Sequence, residues 1–181
     1  MMYTLLPAHQ IALRVAELGR IIGEAYRGKP LTILGVLNGS VIMVADLMRS
    51  VPVPHRIGFV HASSYGGKAT EAGLLSVGLS LLPDIEGRDV LLVDDIFDTG
   101  RTLARLLGEL RVYRPASICT VVLLWKLGRC EVETTPDYFG FQIPNAFVVG
   151  YGLDYDDDYR HLPNISVLEP SDLVQQPLTP G

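Results

Sequence analysis

Three acidic residues and a Thr-Gly turn follow an apolar run near the middle of the chain. Residues 90–103 read VLLVDDIFDTGRTL, with Asp94 and Asp95 directly after four aliphatic residues and Asp98 shortly after them. A carboxylate at the end of a core strand is costly to bury unless something compensates its charge. The pattern therefore indicates that these acids meet a ligand or a metal ion.

The Thr-Gly turn after the acids predicts a site for an anion. Gly100 permits a tight turn and a close approach of a ligand to the backbone. A helix is predicted over residues 101–112, so residues 98–102 place successive backbone N–H groups at its start. These N–H groups and the helix dipole favour a phosphate, to which Thr99 and Thr102 can add hydroxyl donors. The segment thus predicts a phosphate site.

Asp94 and Asp95 precede the phosphate site and should face a different group. Because carboxylates repel phosphate, these two acids are expected to meet sugar hydroxyls or a Mg²⁺ ion. A ligand with a phosphate at one end and a diol beside it fits both requirements, which describes a ribose 5-phosphate. The alternative is that Asp-Thr-Gly only caps a helix. Three acids around one turn are harder to explain in that way.

The apolar pattern predicts the elements that would position these residues. The predicted strands cover residues 31–37, 57–63, 90–95, 117–126 and 147–153, and residues 73–82 alternate loosely and suggest an antiparallel strand. Amphipathic helices are predicted from the start to near residue 28, after residue 40 to near residue 49, and over residues 101–112. This alternation predicts an α/β fold with a mostly parallel, twisted sheet flanked by helices. Ligands bind at the carboxyl ends of such strands, and the polar residues at these ends are Asn38, Ser64, Asp94, Asp95 and Lys126.

Composition bounds the class of protein. The 181 residues, 48% hydrophobic and 19% charged, suit one domain over residues 1–181, in which 175–181 are expected to be a frayed tail. The apolar runs are too short for a membrane span. A net charge of −5 disfavours nucleic acid as a partner. Two cysteines without a CxxC pair suggest a reducing compartment, and we expect the cytoplasm.

The segment VLLVDDIFDTGRTL resembles the phosphoribosyl-pyrophosphate motif of type I phosphoribosyltransferases. GVLNGS, SSYG, LLWK and PDYFGFQIPNAFVVGYGLDYDDDYRHLP are similar, in the same order, to other marks of the hypoxanthine-guanine branch. The resemblance implies that branch's fold, with a core over about residues 30–150 and a small hood formed by the terminal segments. It also implies that branch's reaction, in which hypoxanthine or guanine and phosphoribosyl pyrophosphate give IMP or GMP and pyrophosphate, with Mg²⁺ as the cofactor.

The same resemblance implies a role for each matching residue. Asp98 would handle the proton on N7 of the purine, and Lys126 would donate to its 6-oxo group. The implied ligand contacts are, for the 5-phosphate, Asp98, Thr99, Gly100, Arg101 and Thr102; for the ribose, Asp94 and Asp95; for the purine, Lys126, Phe147, Val148 and Asp154; and for pyrophosphate, Asn38, Gly39, Ser64, Tyr65 and Arg160. The implied Mg²⁺ ligands are Asp154, Asp94 and Asp95. A non-proline cis peptide at Leu37–Asn38, a mobile lid beginning at Ser64, and a homodimer or homotetramer are also implied.

Two positions depart from the family pattern, and two functions are alternatives to the one that the resemblance implies. Asn38 stands where many relatives have Lys, and Asn carries no charge, which argues against a charge-based role there. Ala146 also stands where some relatives have Lys. A xanthine-preferring transferase is one alternative, whereas FVVGYGLDYDDDYR argues against transferases for adenine or pyrimidines. A regulator that senses phosphoribosyl pyrophosphate without catalysis is another. Such a regulator needs a nucleic-acid-binding domain or a basic face, and this short acidic chain offers neither.

Overall fold

The computed structural model describes residues 2–64 and 75–169, and of residues 63, 64, 75 and 76 only the backbone. In these residues the chain forms three helices and nine strands. The helices are α1 (Ala8–Ala25), α2 (Val41–Ser50) and α3 (Arg101–Arg111). The strands are β1 (Tyr3–Leu6), β2 (Leu31–Leu37), β3 (His55–Ser64), β4 (Leu75–Gly78), β5 (Asp89–Phe97), β6 (Ser117–Lys126), β7 (Tyr138–Ile143), β8 (Val148–Val149) and β9 (Ile165–Val167). None of the described helices is long and apolar enough to cross a bilayer.

The larger sheet has the strand order β4-β3-β2-β5-β6-β7. All its neighbouring strands are parallel except β4, which pairs antiparallel with β3 at one edge. The carboxyl ends of β2, β5 and β6 therefore lie side by side at one edge of the layer. This arrangement confirms the predicted mostly parallel sheet and places the predicted polar strand ends next to one another.

Helices cover both faces of the central strands, which explains why those strands carry apolar residues on both faces. On one face, α1 and α2 pack on alternate residues of β2 and β5, including Ile33 and Leu91. On the other face, α3 packs on the intervening residues, including Leu34 and Leu92. The buried positions of α1 are Ile11, Val15, Leu18, Gly19, Ile22 and Gly23, and those of α3 are Leu103, Leu106, Leu107 and Leu110. The helical periodicities thus correctly indicate the buried faces.

A second, three-stranded sheet has the order β1-β9-β8. It pairs Tyr3 near the start of the chain with Val167, which also pairs with Val148. The small sheet therefore joins the two ends of the described chain and corresponds to the hood in the predicted fold. The division into one domain with a core near residues 30–150 stays a prediction, and the tail at 175–181 lies outside the described residues.

Two predicted strands need correction, and three strands were missed. The strand predicted for residues 90–95 continues to Phe97, so Asp94 and Asp95 lie within β5 and not at its end. The strand predicted for 147–153 is wrong beyond Val148–Val149, because Gly150 and Gly152 have φ values of 97° and 102° and turn the chain. The sequence patterns also missed β1, β7 and β9.

Candidate active site

A cavity of about 270 Å³ opens where β2 and β5 end and α3 begins. The residues that line it are Val36, Leu37, Gly39, Ala62, Asp94, Asp95, Ile96, Phe97, Asp98, Thr99, Gly100, Thr102, Leu103 and Val122. The structure therefore brings together the three acids and the Thr-Gly turn that the sequence predicts as one site. Gly39, from the end of β2, joins them.

The turn before α3 has the geometry of an anion site. Gly100 precedes the helix with a φ of 83°, a left-handed conformation that favours glycine. A Cβ atom at this position would lie 2.5 Å from Val132 and 2.8 Å from Phe97, so no side chain fits. The Thr99 hydroxyl accepts a long hydrogen bond of 3.4 Å from the Arg101 N–H. The first turn of α3 thus faces the cavity with backbone N–H groups that the helix itself does not use.

Asp94 and Asp95 form a pair of carboxylates near the end of β5. Asp94 is 8% exposed, and its carboxylate accepts a 3.0 Å hydrogen bond from the Asp95 N–H. Burial and the neighbouring charge of Asp95 raise the pKa of Asp94 well above its ordinary value. Burial also raises the pKa of Asp95, against the opposing effects of hydrogen bonds and the Arg160 charge. Among the described residues, neither carboxylate forms a salt bridge, so both are suited to meet a ligand.

Asp98 lies between two basic side chains. Lys126 ends β6, is 9% exposed, and places its Nζ atom 3.2 Å from Asp98 Oδ2. Arg129 places its Nε atom 2.7 Å from the other oxygen, Oδ1. The sequence prediction joined Asp98 and Lys126 in one site but missed Arg129. The available signal was a basic residue in a glycine-containing turn directly after a strand end.

The loop after β2 packs closely against the acids. The peptide bond between Leu37 and Asn38 is cis, as the resemblance implied. A Cβ atom on Gly39 would collide with Asp95 Oδ2, and one on Gly152 would collide with the Gly39 carbonyl oxygen. Asn38 itself is exposed. These close approaches bring the ends of β2 and β5 and the turn after β8 to one place.

Several predicted site residues with described side chains lie outside the lining of this cavity. They are Asn38, Arg101, Lys126, Phe147, Val148, Asp154 and Arg160. Phe147 is 42% exposed and meets Tyr155 edge-on at a ring distance of 5.6 Å, and Val148 is buried. Arg160 lies 2.9 Å from Asp154 Oδ1 and donates to the Gly152 carbonyl oxygen at 2.9 Å. Because its charge acts on Asp95, Arg160 connects this outer group to the cavity.

Two further predicted site residues, Ser64 and Tyr65, are the ones from which the resemblance implies a lid. Ser64 ends β3, whose neighbour in the sheet is β2. Its side chain is not described, and Tyr65 lies outside the described residues.

The carboxylates of the site fit a partly hydrated Mg²⁺ ion better than an enclosed one. Within residues 2–64 and 75–169, the structure has no group of three or more His, Cys, Asp or Glu side chains placed to hold a metal. The predicted trio of Asp94, Asp95 and Asp154 is therefore not one closed cage. Mg²⁺ commonly takes one or two carboxylates, several waters and phosphate oxygens of the substrate. The Asp94–Asp95 pair beside an anion site fits an ion of that kind.

Comparisons with known proteins agree with one another. The family model described as "Phosphoribosyl transferase domain" matches residues 2–156. A hypoxanthine-guanine phosphoribosyltransferase of Mycobacterium avium is 45% identical over 172 residues, 92% of this chain and 85% of the relative. A hypoxanthine phosphoribosyltransferase of Escherichia coli K12 is 43% identical over 163 residues, 89% and 92% of the two chains. A hypoxanthine phosphoribosyltransferase structure from Staphylococcus aureus superimposes with a TM-score of 0.87 at 37% identity, covering 93% of this chain and 92% of that one.

Proposed function

The chain belongs to the phosphoribosyltransferase family, and we propose that it joins hypoxanthine or guanine to phosphoribosyl pyrophosphate, forming IMP or GMP and releasing pyrophosphate. The relatives' names confirm the predicted hypoxanthine-guanine branch, and the chain is an enzyme of purine salvage. One observation supports the choice of base most strongly. The Lys126–Asp98 pair presents a cationic donor and a carboxylate next to a phosphate-binding turn.

The turn before α3 is proposed to hold the 5-phosphate of the ribose. Residues 98–102 supply backbone N–H groups, and the hydroxyls of Thr99 and Thr102 add donors. Arg101, whose side chain pairs with Glu131, is exposed at the rim. Phosphate binding at this turn fixes the sugar within the cavity, so that its C1 carbon is held for reaction.

Asp94 and Asp95 are proposed to accept hydrogen bonds from the ribose hydroxyls. Loss of pyrophosphate from C1 builds positive charge on the sugar, as in glycoside chemistry. Negative side chains fixed beside the sugar favour that charge electrostatically. Because both acids are held by a buried strand, little reorganisation is needed when the charge develops.

Lys126 and Asp98 are proposed to bind the purine base. Lys126 donates to the 6-oxo group, and Asp98 accepts the proton that N7 of the purine loses as its N9 atom attacks C1. Phe147 offers an exposed ring for stacking, and the backbone of Val148 lies beside it. Replacing Asp98 by Asn should lower kcat by about 10²- to 10⁴-fold, because it removes the proton acceptor while retaining a similar shape.

The pyrophosphate group is proposed to lie between the loop at Asn38–Gly39 and Arg160, with Ser64 and Tyr65 covering it. Mg²⁺ is the proposed cofactor, held by Asp154 and by the Asp94–Asp95 pair together with oxygens of the substrate. When bound, the ion neutralises charge on the leaving pyrophosphate. Asn38 carries no charge, which leaves Arg160 as the fixed cation proposed for this group.

The assembly and location of the enzyme are also proposals. A homodimer or homotetramer is supported by exposed apolar side chains on α1 and α2, including Leu13 and Ile42, that a second copy could cover. The cytoplasm is supported by Cys119 and Cys130, which are both free thiols. A single folded domain remains the proposed organisation.

An assay with each free base tests the proposed function. The purified protein is mixed with phosphoribosyl pyrophosphate, Mg²⁺ and hypoxanthine, guanine, xanthine or adenine, and the nucleotide products are separated. IMP and GMP are the expected products. Xanthine as the favoured base would support the xanthine alternative. Tight binding of phosphoribosyl pyrophosphate without product from any base would support the sensor.

A further inference from the structure

Asp98 is held from both sides, by Lys126 at Oδ2 and by Arg129 at Oδ1. We propose that Arg129 is a positioning residue for the transfer reaction, which keeps the Asp98 carboxylate directed at the purine when Lys126 binds the base. This inference rests on the proposed function. Arg129 acts through Asp98, and no direct contact between Arg129 and the substrate is required.

The proposed reaction makes two demands on Lys126. Its ammonium group contacts Asp98 Oδ2 at 3.2 Å and must also donate to the 6-oxo group of the base. A lysine has three N–H donors, so both contacts can form, but its single charge is then shared between two acceptors. Arg129 carries a second full charge on the oxygen that Lys126 does not touch. Asp98 therefore keeps a fixed partner whichever way Lys126 is engaged.

The contact also leaves Asp98 able to accept a proton. A carboxylate offers about four lone-pair directions. Lys126 donates a hydrogen bond to Oδ2, whereas Oδ1 faces Arg129 Nε at 2.7 Å as an ion pair and accepts no hydrogen bond from the described residues. The Arg129 charge thus restrains the rotation of the carboxylate and leaves Oδ1 free to accept a proton. A side chain held at one oxygen by Lys126 alone could rotate away as the base approaches, and small errors in position are expensive in catalysis.

The loop that carries Arg129 is tied to the phosphate-binding turn. The Glu131 N–H donates to the Thr99 carbonyl oxygen at 2.9 Å, and Val132 packs against Gly100. A salt bridge of 2.5 Å joins the Glu131 side chain to Arg101. These contacts hold the backbone around Arg129 next to Asp98. The loop therefore stays in place when the Arg129 side chain alone is changed.

A contribution to folding stability does not explain the ion pair between Arg129 and Asp98. The side chains of Arg129 and Asp98 are 42% and 33% exposed, and ion pairs with that exposure contribute little to folding. Arg129→Met is therefore expected to fold normally, and thermal unfolding checks this. The substitution should lower kcat/KM for the purine base and leave the binding of phosphoribosyl pyrophosphate unchanged, because other groups bind that substrate.

The test compares three single variants with hypoxanthine as the base. Arg129→Met should lower kcat/KM for hypoxanthine about 10- to 100-fold, mostly through kcat, with KM for phosphoribosyl pyrophosphate within about twofold of wild type. Arg129→Lys should recover most of the loss, because the contact with Asp98 is a single ion pair that needs the positive charge and not the bidentate fork of a guanidinium. Glu131→Gln removes the other ion pair of the same loop and should stay within about twofold of wild type.

A double-mutant cycle separates positioning from a general loop effect. In an Asp98→Asn background, Arg129→Met should cost less than about a further twofold, because its target is already gone. Multiplicative losses would overturn the proposal, as would an Arg129→Met enzyme with wild-type kinetics or an Arg129→Lys enzyme no better than it. Wild-type protein without oxopurine transfer would instead refute the proposed function, and this inference with it.

Discussion

At the scale of single residues, Asp94 carries the greatest electrostatic cost of the site. It is 8% exposed, and burial together with the Asp95 charge raises its pKa. A carboxyl group whose pKa is raised by folding adds stability below the ordinary aspartate pKa of about 3.9. That contribution is lost as the pH rises through the raised pKa. Ionising Asp94 in the ligand-free enzyme therefore costs folding stability.

Asp94→Asn should consequently stabilise the ligand-free protein at neutral pH. The amide cannot ionise, so it avoids the cost of a buried charge, and it can keep accepting the hydrogen bond from the Asp95 N–H. The melting temperature is expected to exceed that of wild type at pH 7, and the difference should shrink toward about pH 4, where the wild-type carboxyl is protonated. Asp156→Asn, at an exposed position, is the control and should change little. Lower stability of Asp94→Asn at pH 7 would contradict this account.

Individual site residues could be predicted where a polar side chain stands at the end of an apolar run in the sequence. The acids Asp94, Asp95 and Asp98 stand out because they follow an apolar run, and Lys126 because it ends one. For Arg129 the sequence offered only its place in a glycine-containing turn after β6. It lies in an irregular loop, where no periodicity tells which side chain turns toward Asp98.

At the scale of elements, the glycine turn after β8 completes the edge of the site. Gly152 has a φ of 102°, and its Cα faces the Gly39 carbonyl oxygen so closely that a Cβ atom would collide with it. This contact fixes the loop after β2, which in turn packs on Asp95. The loop after β2 and the turn after β8 can therefore pack against each other only because residue 152 is glycine.

Gly152→Ala should destabilise the protein by more than about 1 kcal/mol, because the backbone conformation and the missing space both exclude a side chain. Gly108→Ala is the matched control. It lies in α3, where a Cβ atom would have nothing within 4 Å, and should stabilise by about 0.5–1 kcal/mol. Denaturant unfolding measures both. Equal effects of the two substitutions would refute the close packing of these loops.

Buried central strands were the most predictable elements. The predictions for β2 and β6 agree with the structure at both ends, because their apolar runs are bounded by polar residues. The edge strand β7 was missed, since it contains Gly140 and Gln142 and lacks a continuous apolar run. The three short strands of the hood, β1, β8 and β9, form through pairing between distant segments. Local pattern cannot reveal such pairing.

At the scale of the whole molecule, the negative charge of the protein opposes the binding of a negatively charged substrate, and a metal ion would offset this repulsion. The chain has a net charge of −5, and its cavity is lined by three carboxylates, yet the proposed substrate is a polyanion. The N-terminus of α3 and Arg160 offset only part of the negative charge of the substrate. Divalent ions carried with the substrate would supply the rest.

Chelation should therefore abolish activity, and Mg²⁺ should restore it. A second readout does not depend on turnover. Phosphoribosyl pyrophosphate is expected to raise the melting temperature in the presence of Mg²⁺ and to raise it much less with chelator, because binding to the folded state alone is stabilising. Asp154→Ala should weaken this Mg²⁺-dependent shift. Full activity in chelator would remove the metal from the account.

The choice of base tests the central claim most directly. Lys126 is a donor that meets an acceptor in hypoxanthine or guanine but an amino group in adenine. An unpaired buried donor costs about 1–3 kcal/mol, or roughly 10- to 100-fold in rate. Competition between hypoxanthine and adenine should therefore favour hypoxanthine by at least that factor in wild type, and Lys126→Met should shrink the preference. Wild-type use of adenine within about tenfold of hypoxanthine would contradict the role of Lys126 and the proposed reaction.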